Sequence, residues 1–293
     1  MEHKSGFVNI IGNPNVGKST LMNALVGEKI SIITSKAQTT RHRIMGIVNG
    51  EDFQIVYSDT PGVLKPQYKL QESMMNFVKT ALTDADIILF VTDIFEQEIQ
   101  NEEIFNKVKH AKVPVLLIMN KIDLTGQEEV DEKMRLWKEK LPNAEIIPVS
   151  ALEKFNTGRV LQAILDKLPI GEAFYPKDQL TDKPERFFVS EAIREKIFLH
   201  YKREIPYSCE VVVDSFKEDE KIIRIRAEII VARESQKGIL IGHKGSALKR
   251  VGIEARKDLE AFFQKQIHLE LFVKVKKDWK DDQMMLRRFG YED

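Results

Sequence analysis

Two hydrophobic rhythms divide this chain. As far as about residue 170, short apolar runs alternate with stretches whose apolar residues recur at helical spacing. The runs at 7–11, 44–48, 53–57, 86–91, 113–119 and 145–149 read as strands, and 19–26, 101–110, 128–141 and 157–168 read as helices. The 113–119 run is apolar throughout, as a strand buried on both faces of a parallel sheet must be. Asn49-Gly50 between two of the runs predicts a hairpin. Such alternation predicts an α/β doubly wound sheet with its ligands at the carboxyl ends of the strands. The 171–184 stretch, bearing Gly171, Pro176 and Pro184, then reads as an ordered or semi-rigid linker.

From residue 185 the pattern changes. A helical stripe over 185–201 precedes strand-like runs at 210–216 and 221–231, a short helix at 235–241, a long amphipathic helix at 246–263 and an alternating strand at 267–276. The order helix, strand, strand, helix, helix, strand predicts a second, α+β domain. The expected organisation is a first domain over 1–170, a linker over 171–184 and a second domain with a C-terminal tail over 185–293.

Composition narrows the class. Among 293 residues, 45 basic side chains balance 45 acidic ones, so any polyanion must be met by local charge. One cysteine, Cys209, excludes a disulfide framework and a cysteine metal site, and the six histidines show no metal-ligand spacing. No apolar run approaches the roughly 20 residues a bilayer requires, and residues 7–11 are too short for a signal sequence. A cytosolic protein, at most peripheral to a membrane, is expected.

The chemistry lies where the first strand meets the first helix. Gly12-Asn13-Pro14-Asn15-Val16-Gly17-Lys18-Ser19 reads G-x-x-x-x-G-K-S in strand–loop–helix context, the condition for a phosphate-binding loop. Glycines let successive N–H groups turn inward around an anion, and the helix start adds its positive dipole end. Lys18 would reach the β- and γ-phosphates, and the Ser19 hydroxyl would sit on Mg²⁺. Asn13, Asn15, Val16, Gly17, Lys18, Ser19 and Thr20 are therefore nucleotide-binding candidates. The following polar stretch, 30–41, lacks a sustained period and reads as a mobile switch loop, from which a threonine would supply a second Mg²⁺ ligand and sense the γ-phosphate. Asp59-Thr60-Pro61-Gly62 ends the third strand: Asp59 would hold Mg²⁺ through water, and the Gly62 N–H would reach the γ-phosphate.

Asn120-Lys121-Ile122-Asp123 decides the base. The Asp123 carboxylate can accept from guanine's ring N–H and exocyclic amine, and adenine offers neither donor in that place. Lys121 would lie along the base and Asn120 would brace the loops. Ser150-Ala151-Leu152 would present a backbone N–H to the guanine oxygen. GTP or GDP with Mg²⁺ is the expected ligand, and Lys18, Gly62 and a threonine of the switch loop are the groups expected to act on the γ-phosphate.

These elements, in this order, resemble a translation-associated small GTPase domain. Gln38-Thr39-Thr40-Arg41 resembles the switch loop of the bacterial Era family in particular. That resemblance implies Thr40 as the switch threonine, with Thr39 as the alternative. One departure from the Ras-type pattern matters: the residue after Gly62 is Val63, which cannot orient water, so slow intrinsic turnover is expected. GTPases with this apolar replacement resemble a potassium-using group in which the asparagine at the position of Asn15 holds the ion.

In the second domain, Gly242-His243-Lys244-Gly245 lies between two helices. G-x-x-G in that setting is the backbone clamp of a KH module, which grips about four single-stranded nucleotides, and the element order is that of the prokaryotic type II KH topology. Between residues 233 and 257 the net charge is +5, whereas residues 171–293 carry only +2. Basic charge is thus local to the clamp, as a phosphate footprint requires. Lys237, Lys249 and Arg250 join the four loop residues as RNA candidates. Trp279, set among lysines, reads as a structural anchor more than a base stacker.

A GTPase domain followed by one KH module resembles the Era family across nearly the whole chain. The resemblance implies a monomeric, GTP-hydrolysing assembly factor of the small ribosomal subunit. It would bind the single-stranded 3′ end of small-subunit ribosomal RNA and touch the membrane peripherally. Two other readings are a nucleotide-gated RNA-binding module with little turnover and a GTPase of another RNA-processing pathway. Against a tRNA-modifying enzyme stands the lack of any nucleophile or metal cluster in the second domain.

Overall fold

A computed structural model describes residues 2–96 and 101–292. The chain divides into two compact units, residues 1–67 with 71–182, and residues 68–70 with 183–293. The first holds a six-stranded sheet. Its strands are β1 (Lys4–Gly12), β2 (Ile44–Asn49), β3 (Phe53–Asp59), β4 (Ile87–Asp93), β5 (Val115–Asn120) and β6 (Glu145–Pro148), in the order β2-β3-β1-β4-β5-β6. Only the β2–β3 pair is antiparallel. Every residue of β4 is buried, and so is every residue of β5 after Val115, which explains their nearly continuous apolar sequence. The helices are α1 (Lys18–Val26), α2 (Lys69–Thr83), α3 (Glu102–Lys109), α4 (Gln127–Lys140) and α5 (Thr157–Lys167). The chain leaves β1 toward β3 on one side and returns to β4 on the other, so the carboxyl end of β1 lies at the topological switch point.

Three features differ from the sequence pattern. Helix α2, which follows the Asp59–Gly62 turn, was not expected, although Met74, Val78 and Ala81 are buried at helical spacing. The β2–β3 hairpin closes through three residues, with the Gly50 N–H on the Phe53 carbonyl at 2.9 Å, and neither Asn49 nor Gly50 takes a positive φ. The 171–182 stretch is a strap along β2 within the first unit. Ile47 N–H donates to the Leu180 carbonyl at 2.8 Å, and the Thr181 hydroxyl donates to the Met45 carbonyl at 2.6 Å. The buried Gln54 amide accepts from the backbone of Phe174 and Tyr175 and donates back to the Tyr175 carbonyl. An edge strand with open backbone groups is thereby covered.

The second unit runs α6 (Glu185–His200), β7 (Cys209–Glu218), β8 (Ile222–Val231), α7 (Glu234–Ile241), α8 (Ser246–Phe263), β9 (Gln266–Val275) and α9 (Gln283–Arg288). Its sheet is ordered β7-β8-β9, with β8 and β9 parallel and a bulge in β7 between Val213 and Ser215. This is the αββααβ order expected of the second domain, to which the sequence pattern did not add α9. Val189, Ile193 and Ile197 of α6 meet Ile223, Ile225 and Ile229 of β8 and Val251, Ala255 and Leu259 of α8 in one core. Cys209 is buried there as a small apolar residue. Trp279 is fully buried, donates its indole N–H to the Ser208 carbonyl at 3.2 Å and packs edge-on to Phe289, so it anchors the tail. Trp279→Ala is expected to cost about 3–5 kcal/mol, as large aromatic truncations in cores do. Denaturant titration of the full chain should show that loss in the transition of the second unit.

Candidate nucleotide cleft and nucleic-acid clamp

The phosphate loop links β1 to α1, and its helix start exposes backbone N–H groups that no intrahelical bond uses. Lys18 is buried. Its ammonium donates to the Gly12 and Asn13 carbonyls at 3.1 and 2.8 Å, so the loop's own backbone holds it in place. Burial lowers its pKa to about 8, against the opposing pull of Asp59 and Glu96. Phosphate oxygens would restore the charge that burial disfavours.

Three oxygen-bearing side chains converge beside it. The Ser19 hydroxyl donates to an Asp59 carboxylate oxygen at 2.6 Å and lies 2.9 Å from the Thr40 hydroxyl, which itself reaches Asp59 at 3.3 Å. Thr39 faces elsewhere, bonded to Thr34 and to the Lys36 carbonyl. The other Asp59 oxygen is buried without a hydrogen-bond partner. Burial, the dominant influence, raises the Asp59 pKa against the lowering effect of Ser19 and Lys18. A hard divalent cation fits this set, because it prefers oxygen ligands and would satisfy the unpaired carboxylate oxygen.

The loop over 30–43 is tied down rather than free. Asn23 of α1 accepts from the backbone N–H groups of Ile30 and Ser31 and donates to the Ser31 carbonyl, while Ile30, Ile32, Arg41 and Arg43 are buried. A local polar sequence hid this anchoring, since Asn23 lies on α1 and the packing partners of the buried loop residues are set by folding. Gly62 sits against the phosphate loop so closely that a Cβ would fall 2.7 Å from the Pro14 Cα. Val63 donates its N–H to the Gly12 carbonyl at 3.0 Å and buries its side chain.

Asn120 bridges two loops. Its amide donates to the Val16 carbonyl at 2.8 Å and accepts from the Ala151 N–H at 2.9 Å, joining the phosphate loop to the loop after β6. Lys121, at φ 63°, donates to the Asn15 carbonyl at 2.6 Å and to Asp93 at 2.7 Å. Asp123 is exposed on the short 3-10 turn Ile122–Leu124. Ser150 and Ala151 are buried and Leu152 is exposed. A cleft of about 440 Å³ is lined by Asn15, Gly17, Lys18, Ser19, Thr20, Thr40, Gly62, Lys121 and Leu152, among others. Sequence reasoning missed Glu96, which takes the Asn13 amide and the Thr92 hydroxyl and whose pKa burial raises. It also missed Asp93, the partner of Lys121. Asp93 ends β4 and Glu96 follows it, and that strand ending matches no motif.

In the second unit, Gly242 (φ 71°) ends α7 and Gly245 (φ 79°) caps α8, with His243 and Lys244 exposed between them. A Cβ at Gly242 would fall 2.6 Å from the Ala247 Cβ, whereas one at Gly245 meets nothing within 4 Å. Beside this turn, Gly245, Leu248, Lys249, Gly252, Ile253 and Arg256 of α8 and Leu269 and Leu271 of β9 line a groove of about 400 Å³. Its floor is apolar and its rim basic, as stacked bases on a phosphate backbone require. Lys237 and Arg250 do not line it. Arg250 reaches Glu254, which also takes His200 of α6. The groove residues Gly252, Ile253 and Leu271 escaped the sequence reading because folding alone brings α8 and β9 together.

Comparison with known proteins agrees with this geometry. Residues 7–121 match the family described as 50S ribosome-binding GTPase, and residues 204–280 match the KH domain. The chain is 47% identical to GTPase Era of Geotalea daltonii, covering 98% of each, and 44% identical to GTPase Era of Staphylococcus haemolyticus, covering 99% of this chain and 98% of that one. A crystal structure of Era in complex with MgGDPNP and nucleotides 1506–1542 of 16S ribosomal RNA superposes with a TM-score of 0.95 at 40% identity, over 99% of this chain and all of that one.

Proposed function

The chain belongs to the Era family of GTPases, and on that premise we propose that it hydrolyses GTP at the phosphate loop and grips the single-stranded 3′ end of small-subunit ribosomal RNA in assembly of that subunit. The observation that carries this reading is the convergence of Ser19, Thr40 and Asp59 beside the buried Lys18, in one chain with the Gly242–Gly245 clamp. The co-crystal of a similar protein with an RNA of that region supports the choice of RNA.

Ser19, Thr40 and Asp59 would hold Mg²⁺, Asp59 through water. When bound, the ion supplies charge neutralisation across the β- and γ-phosphates. Lys18 would exchange its two carbonyls for phosphate oxygens, and the Gly62 N–H would meet the γ-phosphate. Asp123 would select guanine, with the Ala151 loop held in place by Asn120. Val63 brings no polar group to the attacking water, so water is oriented by backbone and by the switch loop, and turnover is slow. Asn15, exposed at the crest of the loop with its carbonyl fixed by Lys121, suits a monovalent cation such as K⁺. In the clamp, Gly242–Gly245 and the α8 N-terminus would take the RNA backbone, Lys249 would pair with phosphates, and bases would lie on Ile253 and Leu271.

Family kinship further carries the expectation of small-subunit association and peripheral membrane contact. Among the described residues no helix is long and apolar enough to cross a membrane. The test is steady-state phosphate release in potassium and in chloride-matched sodium, with and without a short RNA copying the 3′ end of small-subunit ribosomal RNA. The expected result is multiple turnover on the order of 10⁻⁴ to 10⁻² s⁻¹, lower in sodium, with the RNA bound. Bound nucleotide without turnover in either salt would favour the gated RNA-binding reading.

A further inference from the structure

Arg43 ends the switch loop immediately before β2, three residues after Thr40, and its guanidinium is buried. Every face of that fork is engaged. Nε donates to the Ser58 hydroxyl at 2.6 Å, Nη1 to Asp84 at 2.5 Å, and Nη2 to the other Asp84 oxygen at 2.9 Å and to the Asn9 side chain at 3.2 Å. Two of the partners lie on strands that run into the nucleotide cleft, and the third ties them to α2. Ser58 precedes Asp59 on β3. Asp84 follows α2, the helix after the Gly62 turn. Asn9 is on β1, which runs into the phosphate loop, and its amide also donates to Asp84 and to the Ala81 carbonyl of α2, at 2.7 and 2.6 Å. A planar, bidentate fork is geometry that lysine cannot reproduce.

We propose that the Arg43–Asp84 clamp is the positioning device that sets Thr40 against Asp59 and Ser19, and so governs GTP hydrolysis and its Mg²⁺ requirement while leaving GDP binding alone. The clamp fixes the base of the switch loop to the strand that carries Asp59 and to the helix that follows Gly62. Thr40 then has only three residues of freedom between a pinned arginine and the metal-binding set. Loosening the pin costs nothing at the base pocket, which hangs on Asn120 and Lys121. It costs the alignment of the one hydroxyl that must be delivered by the loop. This inference rests on the reading of Thr40 as a metal ligand.

The test uses the full chain with Arg43→Lys, Asp84→Asn, their double variant, and Thr40→Ala as comparator. Arg43→Lys is expected to lower kcat at least tenfold and to raise the Mg²⁺ concentration for half-maximal hydrolysis severalfold, with GDP affinity within about twofold of the parent. Asp84→Asn should shift both in the same direction by less, and the double variant should be no worse than Arg43→Lys alone, because both changes break one clamp. Unchanged kcat and Mg²⁺ requirement in folded Arg43→Lys would overturn the proposal, as would equal losses of GDP affinity and kcat, which mark a merely structural role. If Arg43→Lys does not fold, Asp84→Asn decides by the same two readouts. A Thr40→Ala protein with an unaltered Mg²⁺ requirement would instead remove the metal reading itself, and the clamp's role with it.

Discussion

Asp123→Asn is expected to turn this GTPase away from guanine and toward xanthine nucleotides. Asp123 sits on a short turn fixed at its start. Lys121 adopts a left-handed conformation, and the Ile122 N–H bonds the Val149 carbonyl at 3.3 Å. The carboxylate presents two acceptors to two guanine donors. An asparagine presents one acceptor and one donor, which conflicts with the exocyclic amine of guanine but pairs with the 2-oxo group that replaces it in xanthine. A site whose polar group is left unpaired rejects its ligand by orders of magnitude, so GTP affinity should fall by about 10²–10⁴. XTP affinity should rise to within about tenfold of the parent's GTP affinity. The phosphate side should be untouched, because Lys18 and Asn120 keep their partners. Direct calorimetric titration of parent and variant with GTP, XTP and ATP measures all three, and an unchanged GTP-to-ATP ratio would refute the base assignment.

The second large effect belongs to the RNA clamp. Gly245→Asp should lower affinity for a short single-stranded RNA by about 100-fold or more and leave GTP affinity within twofold. The space for the side chain exists, as nothing lies within 4 Å of a Cβ there. The φ of 79° is unfavourable for a side chain, though aspartate tolerates the left-handed region better than most. The fold should therefore survive with a small loss of stability. What changes is the field: a carboxylate would stand where the phosphate backbone passes the start of α8, beside Lys249. Binding should weaken and its salt dependence should become shallower, by about one unit of slope for each phosphate no longer neutralised. Gly245→Ala carries the strain without the charge and separates the two causes. Fluorescence anisotropy across a salt series reads the result, and a Gly245→Asp protein that bound RNA like its parent would undo the clamp.

The parts of this molecule legible in its sequence are those where backbone geometry and chemistry leave one solution. Gly12–Ser19, Asp59–Gly62 and Asn120–Asp123 each carry a fixed spacing at a strand end, and folding gathers Lys18, Asp59 and Asn120 around the phosphate loop. Thr40 follows from resemblance to a family switch loop, not from spacing. The Gly242–Gly245 clamp needed its neighbours, since four residues alone say little, and the element order supplied them. What was not legible depends on residues far apart in the chain. The anchoring of the switch loop relies on Asn23 and on Asp84, which holds Arg43 at the loop's end, and neither Asn23 nor Asp84 forms a local pattern with it. Helix α2 carries an apolar stripe, Leu70, Met74, Val78 and Ala81, which was passed over between the Asp59–Gly62 turn and the next strand. The groove proposed for RNA is shared between α8 and β9, and its residues looked like ordinary surface or core on each element taken singly.

The strap along β2 alters what it means to divide this protein. Prolines and a glycine mark residues 171–184 as the natural place to cut, and a fragment ending at Ile170 would look complete by that measure. Such a fragment would lose the partners of Ile47, Met45 and Gln54. It would leave a naked strand at the margin of its sheet, inviting another copy to supply the missing backbone bonds. A fragment carried through Asp182 keeps its own cover. The connecting peptide is therefore also expected to guard against self-association, and an isolated nucleotide-binding half should stay monomeric only when it takes the strap with it.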